Sequence, residues 1–175
     1  MAGDSVWAAA GDILKGTGAA TADILTKGNA GTIMTAGAST VAWSQSINMN
    51  VPANGTVSGL TMAITDGDAD TFGQVCYVKL DTTTKSFKAL ATNAGATMPV
   101  TAMFVSTGLC LMKGLACNTG WSLTVGSPIY VDASTAGAIT QTAPTGSGKI
   151  VQKVGFALTA TVVYFNPSGT WVELT

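Results

Sequence analysis

The chain has 175 residues, enough for one β domain and a tail but too few for two full-sized domains. Charged residues make up 10% of it, against about 25% in an ordinary soluble domain, and the mean hydropathy is +0.39, so charge cannot cover this surface and other polypeptide must. Eight lysines, nine acidic residues, no arginine and no histidine leave no basic stripe for nucleic acid and no imidazole for Ser-His-Asp or Cys-His chemistry.

No stretch approaches the roughly 18 to 20 uninterrupted apolar residues of a spanning helix. The expected partner is therefore neither membrane nor nucleic acid but further copies of the same chain. Met1-Ala2-Gly3-Asp4-Ser5 has neither the basic start nor the apolar run of a secretory signal, which places synthesis in a cytoplasm.

Residues 1–50 are dominated by Gly, Ala and Thr, with large apolar residues in isolated groups: Val6-Trp7, Ile13-Leu14, Ile24-Leu25, Ile33-Met34, then Val41 and Trp43. The spacing is not helical, and Gly-containing turns separate the groups, so short strands or extended pieces are expected. So few large side chains cannot offset the entropy of ordering this much backbone. The segment reads as an extended arm that gains order against other subunits. Gly16-Thr17-Gly18 lacks the strand, the helix and the later glycine of a dinucleotide loop and reads as a turn. Asp12 to Lys15 is the best helical candidate, and Gly16 stops it at once.

From residue 51 onward, short β-rich runs are punctuated by turns every 8 to 12 residues, the pattern of a sandwich or barrel. They fall at 57–64, 74–80, 87–91, 102–105, 109–113, 121–125, 128–132, 138–141, 150–158, 161–165 and 171–174. Asp132-Ala133-Ser134-Thr135-Ala136-Gly137 has the chemistry of a hairpin loop between two of them. Asp66, Asp68 and Asp70 match the first three positions of a calcium loop, but Thr71 and Tyr77 stand where the loop requires Gly and Glu, so a solvated turn is expected. Cys76, Cys110 and Cys117 fit neither a zinc nor a redox spacing and read as buried thiols. Ser86 beside Lys85 and Lys88 is a formal Ser-Lys pair, but adjacent strand residues face opposite ways. No two carboxylates are marked as a glycosidase pair. No catalytic residue, metal ligand or cofactor is expected. Trp121 and Trp171 are assigned to the core, Trp7 and Trp43 to contacts with other subunits.

Two stretches carry a resemblance. Over residues 11–44, Gly11-Asp12-Ile13-Leu14, Gly16-Thr17-Gly18, Leu25-Thr26-Lys27-Gly28, Gly31-Thr32-Ile33-Met34-Thr35-Ala36 and Trp43 follow in the order of a repeat found in tailed-phage fibre-like and head-associated proteins, with Met34 in place of leucine and one copy instead of several. Over 73–174, Trp121, Gly126, Ile129-Tyr130, Thr135 to Gly137, Pro144 to Gly148, Val151-Gln152-Lys153-Val154-Gly155 and Phe165-Asn166-Pro167-Ser168 resemble the C-terminal β domain of phage capsid decoration (cement) or head-fibre proteins.

The resemblance implies a non-enzymatic virion component on the capsid surface. The expected architecture is all-β: a sandwich or jelly-roll-like domain at 51–175, homotrimeric, with the arm at 1–50 laid across the major capsid protein through Trp7, Ile13, Leu14, Ile24, Leu25, Ile33, Met34 and Trp43. A tail-fibre or receptor-binding tip protein that contacts host surface glycans is the alternative, and a single short arm favours the capsid.

Overall fold

The computed structural model describes residues 50–92 and 97–175, together with the backbone of four strands before them. The chain divides into two compact units, Met1–Asn48 and Met49–Thr175. Among the described residues every regular element is a strand, so the all-β expectation holds.

In the N-terminal unit, β1 (Ile13–Gly18) pairs with β2 (Thr21–Leu25), and β3 (Ile33–Ala36) pairs with β4 (Val41–Ser44), both antiparallel. The apolar groups of the sequence are set opposite one another: Ile13 against Leu25, Leu14 against Ile24, Met34 against Trp43. Ile33 and Val41 are instead opposite small residues, Ser44 and Ala36. Of the helical candidate Asp12 to Lys15, the residues from Ile13 lie in β1 instead of a helix, and Gly16-Thr17-Gly18 closes that strand across a register shift. Trp7, and the side chains of the other arm residues assigned to contacts, lie outside the described residues.

Among its described residues the C-terminal unit has twelve strands: β5 (Thr56–Ala63), β6 (Thr65–Asp66), β7 (Val75–Asp81), β8 (Thr83–Lys88), β9 (Ala102–Ser106), β10 (Leu109–Cys117), β11 (Pro128–Val131), β12 (Ile139–Thr140), β13 (Ile150–Val151), β14 (Lys153–Ala157), β15 (Val162–Phe165) and β16 (Val172–Glu173). Ten form one sheet in the order β12-β11-β14-β15-β10-β9-β7-β8-β6, with β5 also on β10, and β13 pairs with β16 apart from it. β10 organises the sheet. Its first half pairs with β9, its second half with β15, and β5 runs along its whole length.

A bulge in the middle of β10 decides which side chains face inward. Thr61 of β5 lies opposite Leu111 and Leu60 opposite Lys113, so Met112 is the extra residue. One extra residue reverses the alternation. Leu111 faces the core before the bulge and Ala116 faces it afterwards. Leu115 and Cys117 turn outward into a small cluster with Val162 and Tyr164.

Just beyond the bulge, four strands place Gly59, Gly114, Phe165 and Gly155 in one inward row. The three glycines leave the inner side of the sheet to Phe165, the largest fully buried side chain.

The two ends of the sheet meet. Val75 donates to the Gly137 carbonyl, Gly137 to Ala89, and Ala91 to Asp132, so the loop after β11 is bonded to β7 and to the segment after β8. A single core therefore collects Val75, Met103 and Leu111 from one half and Ile129, Val154 and Phe165 from the other.

Several expectations need correction. Residues 121–125 form no strand: Leu123 donates to Ala160, and Thr124 is held at both N–H and C=O by the Gln141 amide, so side chain and loop replace a ladder. The 87–91 run ends as a strand at Lys88 and begins earlier, at Thr83. The 150–158 run breaks at Gln152, whose side chain is buried. Trp121 and Trp171 pack against the core from its rim, half-buried, instead of within it. The Asp132–Gly137 loop does join a hairpin, with Tyr130 opposite Thr140. There the Asp132 carboxylate accepts from Ser134 and Thr135 at 2.6 and 2.7 Å, and Gly137 takes φ +77°.

Candidate functional site

The outer face of the sheet, opposite the core, carries a second apolar surface. Alternation along β5 turns Leu60 and Met62 outward, and along β7 it turns Cys76, Val78 and Leu80 to the same side. Ile64, Ala102 and Cys110 bury one another there, with Val78 and Met112 against them.

β9 stops at Ala102 while β10 and the β7–β8 hairpin continue, and between them lies a groove of about 490 Å³. Met62, Ile64, Val78 and Met112 line it, and the Thr101 hydroxyl is buried beside it without a hydrogen-bond partner. On its rims Leu60, Met62 and Leu80 are 66%, 49% and 75% exposed. No side chain lining the groove is charged. It can therefore hold apolar side chains, and nothing in its lining can pair with a charge.

The three aspartates of the calcium-like run diverge to separate donors. Asp66 accepts from Gly108 N–H at 3.4 Å, Asp68 from Lys88 N–H at 2.9 Å, and an Asp70 oxygen lies 4.0 Å from the Cys76 thiol. Gly67 between them donates to the Ser86 carbonyl and rests on the Phe87 ring with no room for a Cβ. Among the described residues no three His, Cys, Asp or Glu side chains are placed to hold a metal ion. The run pins the β6 loop to β8.

Burial, then the neighbouring Asp68 and against an opposing Lys88, holds the Asp70 carboxyl above the usual carboxylate range, and one of its oxygens is buried and unpaired. A carboxyl whose folded value is raised binds more protons in the native state. Its contribution to stability is complete below the unfolded value and is lost as pH rises through the folded one. Asp70→Asn is accordingly expected to raise the urea midpoint at pH 7, with an advantage that shrinks as pH falls through about 4. An advantage independent of pH would contradict this account.

The thiols offer no nucleophile. Cys76, Cys110 and Cys117 are all buried and free, as their spacing suggested. Burial, reinforced by Asp70, pushes the Cys76 thiol far up. Burial also raises Cys110, against a lowering effect of the neighbouring Ser86 hydroxyl. A thiol held protonated neither attacks nor ligates. The Ser-Lys pair is not assembled either: the Ser86 hydroxyl is buried and hydrogen-bonded to neither lysine, while Lys85 reaches Asp81 at 3.1 Å on the surface.

Leu60, Met62 and Leu80 were legible in sequence only as strand residues. Their exposure depends on which face of the sheet the core covers and on where β9 ends, which no local pattern encodes. No protein-family model, curated protein or solved structure matches the chain.

Proposed function

We propose that the chain is a non-enzymatic structural protein of a phage particle, which binds the outer face of the capsid as a homotrimer and stabilises it. The observation that carries this reading is the groove in the outer face of the C-terminal unit, which no charged side chain lines and which exposed Leu60, Met62 and Leu80 flank, a surface suited to protein contact. The N-terminal unit supports it. Its two hairpins set large apolar pairs in register, which suits shallow clefts between capsid subunits.

Each such contact is weak alone. Three N-terminal units on one trimer raise the effective concentration for the second and third engagements to about the millimolar range, so modest single affinities become a clamp. The capsid lattice supplies three-fold positions, and a trimer presents one unit to each surrounding subunit.

The test is co-sedimentation of the full-length protein, and of a chain beginning at Val51, with heads that lack the protein and separately with tails and host cells. Binding to heads that requires residues 1–50 is the expected result. Binding to tails or cells instead would make the protein a fibre or receptor-recognition component.

A further inference from the structure

β5 is hydrogen-bonded to β10 along one edge, and among the described residues no strand lies on the other. An open edge is a template for another strand, and proteins that stay apart guard it with lysine, proline, a bulge or extreme shortness. The sheet's terminal strands β6 and β12 are guarded in the last way, at two residues each. β5 is not guarded at all. Its eight residues, TVSGLTMA, include no charge and no proline, and the bulge in its ladder falls on β10.

We infer that β5 pairs antiparallel with β5 of a second copy of this chain, about a two-fold axis through Thr61. The occupant follows from the chemistry of the edge. A partner strand must satisfy backbone groups, offer apolar side chains to Leu60 and Met62, and bring no charge to be desolvated; β5 itself meets all three conditions. In this register Leu60 faces Met62 of the partner subunit, Met62 faces the partner's Leu60, and the two Thr61 side chains face one another. Apolar and Thr–Thr cross-strand pairs are among those that stabilise antiparallel ladders. The two-fold contact also closes on itself, which turns an aggregation-prone edge into a finite one. It doubles whatever unit carries it, a single chain or a trimer.

The inference rests on the self-association in the proposed function but not on its capsid partner, and the two are tested apart. Light scattering of the full-length protein at micromolar concentration is compared with that of a Leu60→Lys, Met62→Lys double variant. Both positions are exposed, so an unchanged circular dichroism spectrum and a mass lower by half are expected. As a second measurement, Thr61→Cys should form an intermolecular disulfide on mild oxidation. Directly opposed residues in an antiparallel pair have Cα atoms about 4.5 to 5.5 Å apart, within disulfide range, and the native cysteines are buried. An unchanged mass in the double variant, or no cross-link through Cys at position 61, overturns the β5 contact while head binding by the unaltered chain still stands. A monomeric unaltered chain overturns the contact and the oligomeric part of the proposed function together.

Discussion

Gln152→Leu lowers the unfolding free energy by about 3 kcal/mol, because two buried backbone groups and one half-buried one lose their partner together. The Gln152 side chain is fully buried and behaves like a piece of a neighbouring strand. Its carbonyl accepts from Val100 N–H at 2.7 Å, and its amide donates to Val100 C=O at 3.0 Å and to Ser168 C=O at 2.8 Å. Leucine fills the volume but leaves one donor and two acceptors dry, each costing about 1 to 3 kcal/mol before relaxation. Urea unfolding at pH 7 measures the loss; a change under 1 kcal/mol would mean that water replaces the amide.

Gln152→Glu separates hydrogen bonding from shape. A carboxylate still accepts from Val100 but faces two carbonyl oxygens, so the folded state holds the new carboxyl above its unfolded value. The linkage follows the same sign as at Asp70: stability is greatest below the unfolded value and is lost as pH rises through the folded one. The glutamate variant should fall furthest behind the parent at pH 7 and recover part of the loss near pH 4, where a protonated carboxyl donates one of the two missing bonds.

How far sequence carries in this protein is set by the range over which each feature is determined. The β5, β7, β9, β11 and β15 strands are local matters of β-branched and apolar runs between turns, and the runs at 57–64, 74–80, 102–105, 128–132 and 161–165 find them within a residue or two. The Asp132–Gly137 hairpin is equally local, since an aspartate and a glycine supply the turn themselves. Residues 121–125 have the composition of a strand but join no ladder, and Gln141 answers Thr124 instead. Thr83–Ser86 has the composition of a turn but lies opposite Val78–Asp81, so pairing overrides propensity. Gln152 looks like one polar residue in a strand, and only the return of Val100 and Ser168 to the same place makes it a buried staple. The candidate surface was hidden for the same reason, because alternation along β5 sets Leu60 and Met62 on one face but only the assembled core, with Val57 packed against it, decides that this face is the outer one.

Gly114→Ala is expected to cost about 4 kcal/mol, from left-handed backbone strain together with overpacking that has no soft neighbour to yield. Gly59 and Gly114 lie opposite one another at φ +154° and +151°. A Cβ on Gly114 would press on the Ser58 carbonyl and come within 2.7 Å of the Gly59 Cα; one on Gly59 would meet the Lys113 carbonyl and come within 2.6 Å of the Gly114 Cα. Every one of these obstacles is backbone, so relief requires β5 to move away from β10, at the row where Phe165 depends on the glycines for its space. Gly126 provides the control. It has φ +78° and open space around it, so Gly126→Ala pays the conformational strain alone, about 1 kcal/mol. Urea unfolding of the three alanine variants should therefore place Gly59→Ala and Gly114→Ala together and well below Gly126→Ala. Equal losses at all three positions would show that the sheet opens at the bulge at no cost and that the close approach of β5 and β10 does not hold the fold. A large loss confined to the facing pair would place the close approach of β5 and β10 among the strongest constraints on the C-terminal unit.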